Sequence, residues 1–169
     1  MEANTMAFQT TPHSCNAPSG HFFPYCDGGG CGMRTYRQET GAYGPGDSYT
    51  INTLKPFEAA LSFHVDAQGQ LSQVDTVLTQ GEATFTLLNN GSGCKGGSEP
   101  AYLAGMTATL KHGMVAVFSF WGDQGSQMQW LDVPPCDVNT SCPDDIYASI
   151  ANIKVTAIAS VTATGHGEV

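Results

Sequence analysis

The stretch FEAALSFHVDAQGQLSQVDTVLTQGEATFTLL, residues 57–88, decides how this chain is read. FEAALSFHV, LSQVDTVLT and EATFTLL each carry strand signals, and the turn residues DAQG separate the first two. The whole predicts a meander of antiparallel strands. Upstream, residues 12–48 hold PHSCNAPSG, DGGGCG and GAYGPGD, a turn-forming region that leaves no room for a helix. Downstream, NNGSGCKGGSEP reads as loop, and AYLAGMTATLKHG, residues 101–113, is the one plausible helix, with Gly113 as its stop. GMVAVFSFW, residues 113–121, is nearly continuous in apolar character and reads as a buried central strand. MQWLDV is expected to be its partner, and ANIKVTAIASV to close the ordered part. No repeat or heptad appears. The pattern is all-β and predicts a two-sheet sandwich. One concave face of such a sheet can stay open to solvent, and aromatic and polar side chains on it would suit an extended polar polymer.

The chain has 169 residues, one domain by size. Its formal charge is -9, with only six Lys and Arg, and these are scattered along the sequence. Binding a phosphate backbone depends on clustered cations, so nucleic acid is excluded as a partner. No apolar run reaches the roughly 20 residues that span a bilayer, and no secretory signal is visible. The cysteines Cys15, Cys26, Cys31, Cys94, Cys136 and Cys142 are even in number in a loop-rich chain, which favours disulfides and an oxidising compartment. Asn90 and Asn139 stand in N-x-Ser sequons. A secreted composition without a leader leads to the expectation that the true N-terminus lies upstream.

Trp121 and Trp130 flank a Gly-rich connection, SFWGDQGSQMQWLD. With a tight turn at Gly125-Ser126 they would face each other as a packing pair. With a splayed connection each could expose a ring face for sugar stacking. The spacing alone favours packing. Retaining hydrolysis of a glycosidic bond needs two carboxyl groups about 5–5.5 Å apart, yet Glu39, Glu58, Glu82, Glu99 and Glu168 are isolated, and Glu2 has no visible partner. A zinc site from His13, His21 and nearby cysteines fits no familiar ligand spacing. No metal or organic cofactor is implied.

Several blocks, in order over nearly the whole chain, resemble glycoside hydrolase family 7 cellulases. EANTMAFQTTPHSC looks like the family segment that begins at the last glutamate of its E-x-D-x-x-E motif and runs on to T-P-H-[PS]-C. CGMRTYR resembles C-[GD]-x-N-x-Y-R. YGPGDSYTINTLKPFEAALSF resembles YGPG-x-x-x-T-[VL]-[DN]-T-x-K-x-[FL]-T. GMVAVFSFWGDQGSQMQWLD resembles GMVLV-x-S-[IL]-W-[DN]-[DN]-x-x-x-x-M-x-WLD. ASIANIKVTAIAS loosely resembles the family's closing strand. Short loops, without the long insertions that roof a tunnel, look more like the endoglucanase branch.

The resemblance implies a concanavalin-like jelly-roll β-sandwich with one short helix. Residues 1–169 would form a single partial catalytic domain, its N-terminal part missing. It implies that Glu2 is the general acid/base and that His13 supports it. Arg37 would bind sugar hydroxyls on the leaving-group side. Trp121 and Trp130 become indole platforms on opposite sides of the cleavage point, which requires residues 122–127 to splay. The family's pairing implies disulfides Cys15–Cys26 and Cys31–Cys94, with Cys136 either meeting Cys142 or left without its usual partner. The motif's nucleophilic glutamate and its supporting aspartate would precede Met1.

The expectation is therefore a secreted, monomeric hydrolase of β-1,4-glucan such as cellulose, acting with retention. As written, the chain carries Glu2 on a flexible second residue with no nucleophile beside it, and is expected to be weakly active or inactive alone. The rivals are a non-catalytic glucan-binding protein using Trp121, Trp130 and Arg37, and an unstable fragment with exposed strand edges.

Overall fold

The computed structural model of the protein describes residues 1–15, 25–91, 99–120, 131 and 148–154. The meander forms where the sequence places it. Strands β6 (Glu58–Val65), β7 (Leu71–Gln80) and β8 (Ala83–Asn89) pair antiparallel in that order. The first turn is closed by Asp66, whose Oδ1 accepts from the amides of Gln68 (2.9 Å) and Gln70 (2.8 Å), the local bonding that makes Asp a turn residue. The second turn is Gly81-Glu82, and Gly81 takes a positive φ of 59°, which a two-residue hairpin demands. The register shifts between His64 and Val65. A shift of one residue moves side chains to the other face, so Leu71 and Val74, three apart in sequence, share one core cluster.

Before the meander lie a three-stranded antiparallel sheet, β1 (Glu2–Ala3), β2 (Phe8–Thr10) and β3 (Met33–Arg34), and a short parallel pair, β4 (Tyr43–Gly44) with β5 (Ile51–Asn52). Asn4 makes the first hairpin: its Oδ1 accepts from the amides of Met6 and Ala7, both at 2.8 Å. Alternation along β2 then divides its residues. Phe8 joins the main core with Ala42, Tyr43, Ile51, Leu78, Phe85 and Leu87, meeting Tyr43 edge-on with centroids 5.8 Å apart. Thr10 also turns inward, its hydroxyl 2.7 Å from that of Thr76 on β7. Gln9 points the opposite way, which is what places the site described below.

The single helix expected over residues 101–113 forms as two pieces, α2 (Glu99–Ala104) and α3 (Thr107–His112). Gly105 interrupts them, in line with glycine's poor helix propensity. Gly113 ends α3 at φ 95°, its amide bonded to Leu110 O. Thr107 docks this pair on β7, accepting from Leu71 N at 2.9 Å and donating to Ala104 O at 2.7 Å. A one-turn helix, α1 (Thr35–Gln38), also occurs inside the region expected to be helix-free.

The buried central strand expected at residues 113–121 is corrected. Residues 113–120 adopt no regular element, and Met114, Val115, Val117, Phe118 and Phe120 are all exposed. Apolar character creates a demand for burial, but a strand also needs a hydrogen-bonded neighbour. None stands beside this segment among the described residues. The remainder of the expected pair, MQWLDV, falls almost wholly outside the described residues, as does the end of ANIKVTAIASV. Residues 148–154 have no regular element.

Candidate active site

The register of the N-terminal sheet opposes Glu2 to Gln9 and Gln9 to Arg34. Directly opposed residues share a face with Cβ atoms about 4.5–5.5 Å apart, so the three side chains form one polar row. Arg34 Nε donates to Gln9 Oε1 at 2.5 Å. Because arginine offers no acceptor, this contact fixes the amide of Gln9, and its nitrogen must face the other way. That nitrogen donates to Thr11 Oγ1 at 2.6 Å and to Glu2 Oε2 at 3.3 Å. Thr11 in turn donates to the same Glu2 oxygen at 2.9 Å. Gln9 is only 6% exposed. Glu2 is half-buried and held by strand pairing, so the flexible terminal residue expected from its position is corrected: the hairpin made by Asn4 and the row beyond it hold it in place.

His13 reaches the site from the next segment. Its Nδ1 lies 2.7 Å from Asp27 O. A carbonyl can only accept, so Nδ1 carries the proton and Nε2 is the ring nitrogen left for other chemistry. The supporting loop is well tied. The disulfide Cys15–Cys26 closes it, Asp27 N donates to Ser14 O at 2.8 Å, and Cys31 N donates to Pro12 O at 2.8 Å. Tyr102 on α2 donates to Asp27 Oδ2 at 2.8 Å and accepts from Ser14 N at 3.0 Å. The Tyr102 hydroxyl, and then the Gly29 amide, hold the Asp27 carboxyl below its ordinary range. Gly30 passes close under the imidazole at φ 60°. A Cβ there would come within 2.7 Å of His13 Cε1 and 2.6 Å of Thr11 Cγ2, so only glycine fits.

Between this loop and the sheet lies an open cleft of about 480 Å³. Glu2, His13 and Arg37, the three residues singled out in the first half of the sequence, all line it. Arg37 reaches it from α1. Gln9, Thr11 and Arg34 line it too, and sequence reasoning missed them. The signal for Gln9 and Thr11 was the period of two that puts them on the face of Glu2. For Arg34 it was a departure, since it stands where the family pattern C-[GD]-x-N-x-Y-R has asparagine. Trp121 and Trp130 lie outside the described residues. Of the cysteines, Cys15 and Cys26 pair as the resemblance implied, and Cys31, fully buried, is disulfide-bonded as well. Cys94, Cys136 and Cys142 lie outside the described residues.

No family profile matches the chain. Individual relatives do. Endoglucanase 1 of Humicola insolens is 31% identical over 174 residues, spanning 86% of this chain and 43% of the relative. Endoglucanase EG-1 of Hypocrea jecorina is 34% identical over 166 residues, spanning 92% of this chain and 34% of the relative. Among solved structures, native endocellulase EGI of Humicola insolens superposes with a TM-score of 0.65 at 30% identity, covering 77% of this chain and 39% of that one. The chain thus spans about two fifths of the length of the relatives it matches. The shared fold bears out the all-β, jelly-roll reading of the sequence. The resemblance to glycoside hydrolase family 7 is a relationship that runs through most of this chain, and the relatives named above are endoglucanases.

Proposed function

We propose that the protein works in retaining hydrolysis of a β-1,4-glucan, in the manner of an endoglucanase, and that the cleft of Glu2, His13 and Arg37 is its acid/base half-site. One observation carries this: three residues at sequence positions 2, 13 and 37, each assigned a role by the family resemblance, line a single cleft. Glu2 Oε2 is occupied by Thr11 and Gln9, so the other oxygen is the one left to deliver a proton to the glycosidic oxygen and later to take one from the attacking water. His13 lines the same cleft, its Nε2 left uncommitted by the Nδ1 contact to Asp27 O. Arg37 binds sugar hydroxyls, and Trp121 and Trp130 supply stacking platforms. The disulfide-closed loop supports an extracellular setting, and a monomer is expected.

Retention needs a second carboxylate, and among the described residues Glu2 is the only one lining the cleft. The chain alone is therefore weakly active or inactive. The test uses hydroxyethylcellulose, a neutral soluble glucan, and an aryl β-cellobioside supplied with azide to stand in for the missing nucleophile. The expected result is glucan binding with little release of reducing sugar, azide-dependent formation of the α-glycosyl azide, and a further drop of about 10²–10⁴ in that rate for Glu2→Gln. Glucan binding with no Glu2-dependent turnover would establish the glucan-binding reading instead. Absence of both binding and turnover in a folded sample would refute the assignment.

A further inference from the structure

The loop that carries His13 departs from the hydrogen bonding that its own pairing calls for. Cys15 and Cys26 form an antiparallel bridge, which makes Ser14 and Asp27 the next opposed residues. Asp27 N donates to Ser14 O at 2.8 Å. In an antiparallel ladder two residues linked in this way return a second bond, here Ser14 N to Asp27 O. That second bond is replaced. Ser14 N donates instead to the Tyr102 hydroxyl at 3.0 Å, and Asp27 O meets His13 Nδ1 at 2.7 Å. A side chain 88 residues further along thus stands in for a backbone carbonyl, and the carbonyl it relieves is the one that holds the imidazole.

The hydroxyl is itself held. Its single proton has Asp27 Oδ2 at 2.8 Å, with Pro12 O the more distant alternative at 3.4 Å. The bond to the carboxylate is the shorter and is charge-assisted. The other carboxylate oxygen accepts from Gly29 N at 3.0 Å. Tyr102 stands on α2, where its neighbour Leu103 is buried in one cluster with Leu71 and Val74. The anchor therefore belongs to the packed layer and not to the loop.

We infer that Tyr102 is the positioning residue for His13: by accepting the Ser14 amide it keeps the Asp27 carbonyl on Nδ1, and so keeps Nε2 as an acceptor in the cleft. This rests on the reading of His13 as a supporting group of the half-site. Without the hydroxyl, Ser14 N competes for Asp27 O, and an exposed imidazole released from that carbonyl samples both tautomers.

Ring-nitrogen NMR of the isotope-labelled full chain, at about pH 8.5 where an ordinary histidine is neutral, reads the tautomer without any reaction. The parent should show His13 protonated on Nδ1. Tyr102→Phe should show a mixture, in a sample whose thermal melt confirms that it is folded. In the azide-supported reaction of the aryl β-cellobioside, Tyr102→Phe should lower kcat about tenfold, with KM within about twofold of the parent. His13→Gln should lower kcat at least as far, and the double variant should fall no further than His13→Gln, because one residue acts through the other. A parent protonated on Nε2, a folded Tyr102→Phe chain that keeps the parent tautomer, or losses that multiply would each overturn the inference. A Tyr102→Phe chain that does not fold would show that the hydroxyl serves the fold, and would overturn it as well. If the parent shows no azide-supported turnover, the half-site reading falls, while the ring nitrogens still decide whether Tyr102 sets the tautomer.

Discussion

Strand β8 and the segment at residues 113–120 make an instructive pair. The first reads ATFTLLN, the second GMVAVFSF, and the second is the more apolar. Yet Leu87 on β8 is 0% exposed, whereas Val115 is 86% exposed. Strand β8 has β7 along one edge and the layer of Phe8, Tyr43 and Ile51 across its face. Residues 113–120 have no hydrogen-bonded neighbour among the described residues. Strand β6 lies between these cases. It is paired with β7 over its whole length, but every one of its eight residues is exposed. Backbone pairing and side-chain burial are thus separate conditions, met by different neighbours, and only where both hold does an apolar sequence become core.

The largest effects expected from this contrast are on stability. Leu78→Ala, in the main core, should cost about 3 kcal/mol, while Val115→Ala should fall within about 0.5 kcal/mol of the parent. Urea unfolding followed by circular dichroism measures both. Comparable costs would show that residues 113–120 are packed in solution. A smaller effect concerns the open edge. Phe63 and Val65 on β6, with Leu71, Leu110 and Met114, border a second, apolar cleft of about 410 Å³. Phe63→Lys should leave unfolding within about 0.5 kcal/mol of the parent and should lower concentration-dependent self-association in sedimentation velocity, since a charge on an exposed strand edge blocks strand addition. Unchanged association would mean that this edge is not the sticky surface.

The smallest effect is on the acid limb of stability. Asp27 titrates below its ordinary value of 3.8 because Tyr102 and the Gly29 amide favour its charged form. Its contribution is therefore present above that value and is lost as pH falls through it toward the folded-state pKa, because the unfolded chain takes up the proton first. Asp27→Asn should flatten the fall of the melting temperature between about pH 5 and 2. An unaltered acid limb would remove Asp27 from the loop's stabilising contacts.

How far the sequence could be read differs by region. The meander was legible because its cues are local: Asp66 and Gly81 sit at the turns, and apolar alternation marks the strands between them. The split of the helix was less so, since Gly105 interrupts a pattern that otherwise continues across both pieces. Glu2, His13 and Arg37 were found only through likeness to a known motif. Gln9 and Arg34 were missed, because neither has a local signature and each takes its meaning from the residue beside it on another strand.

By itself, the sequence determined the strand-turn-strand rhythm, the acidic charge balance and the presence of cysteines suited to cross-links, since all of these follow from residue types and their spacing along one chain. Which apolar segment is buried, and which polar side chains meet Glu2, was decided by tertiary structure alone. Cross-strand register and layer contacts bring together residues 2, 9 and 34, and no property of any one of those residues encodes the identity of its neighbours. Burial likewise depends on what lies across the sheet, so Leu87 and Val115 part company despite similar side chains.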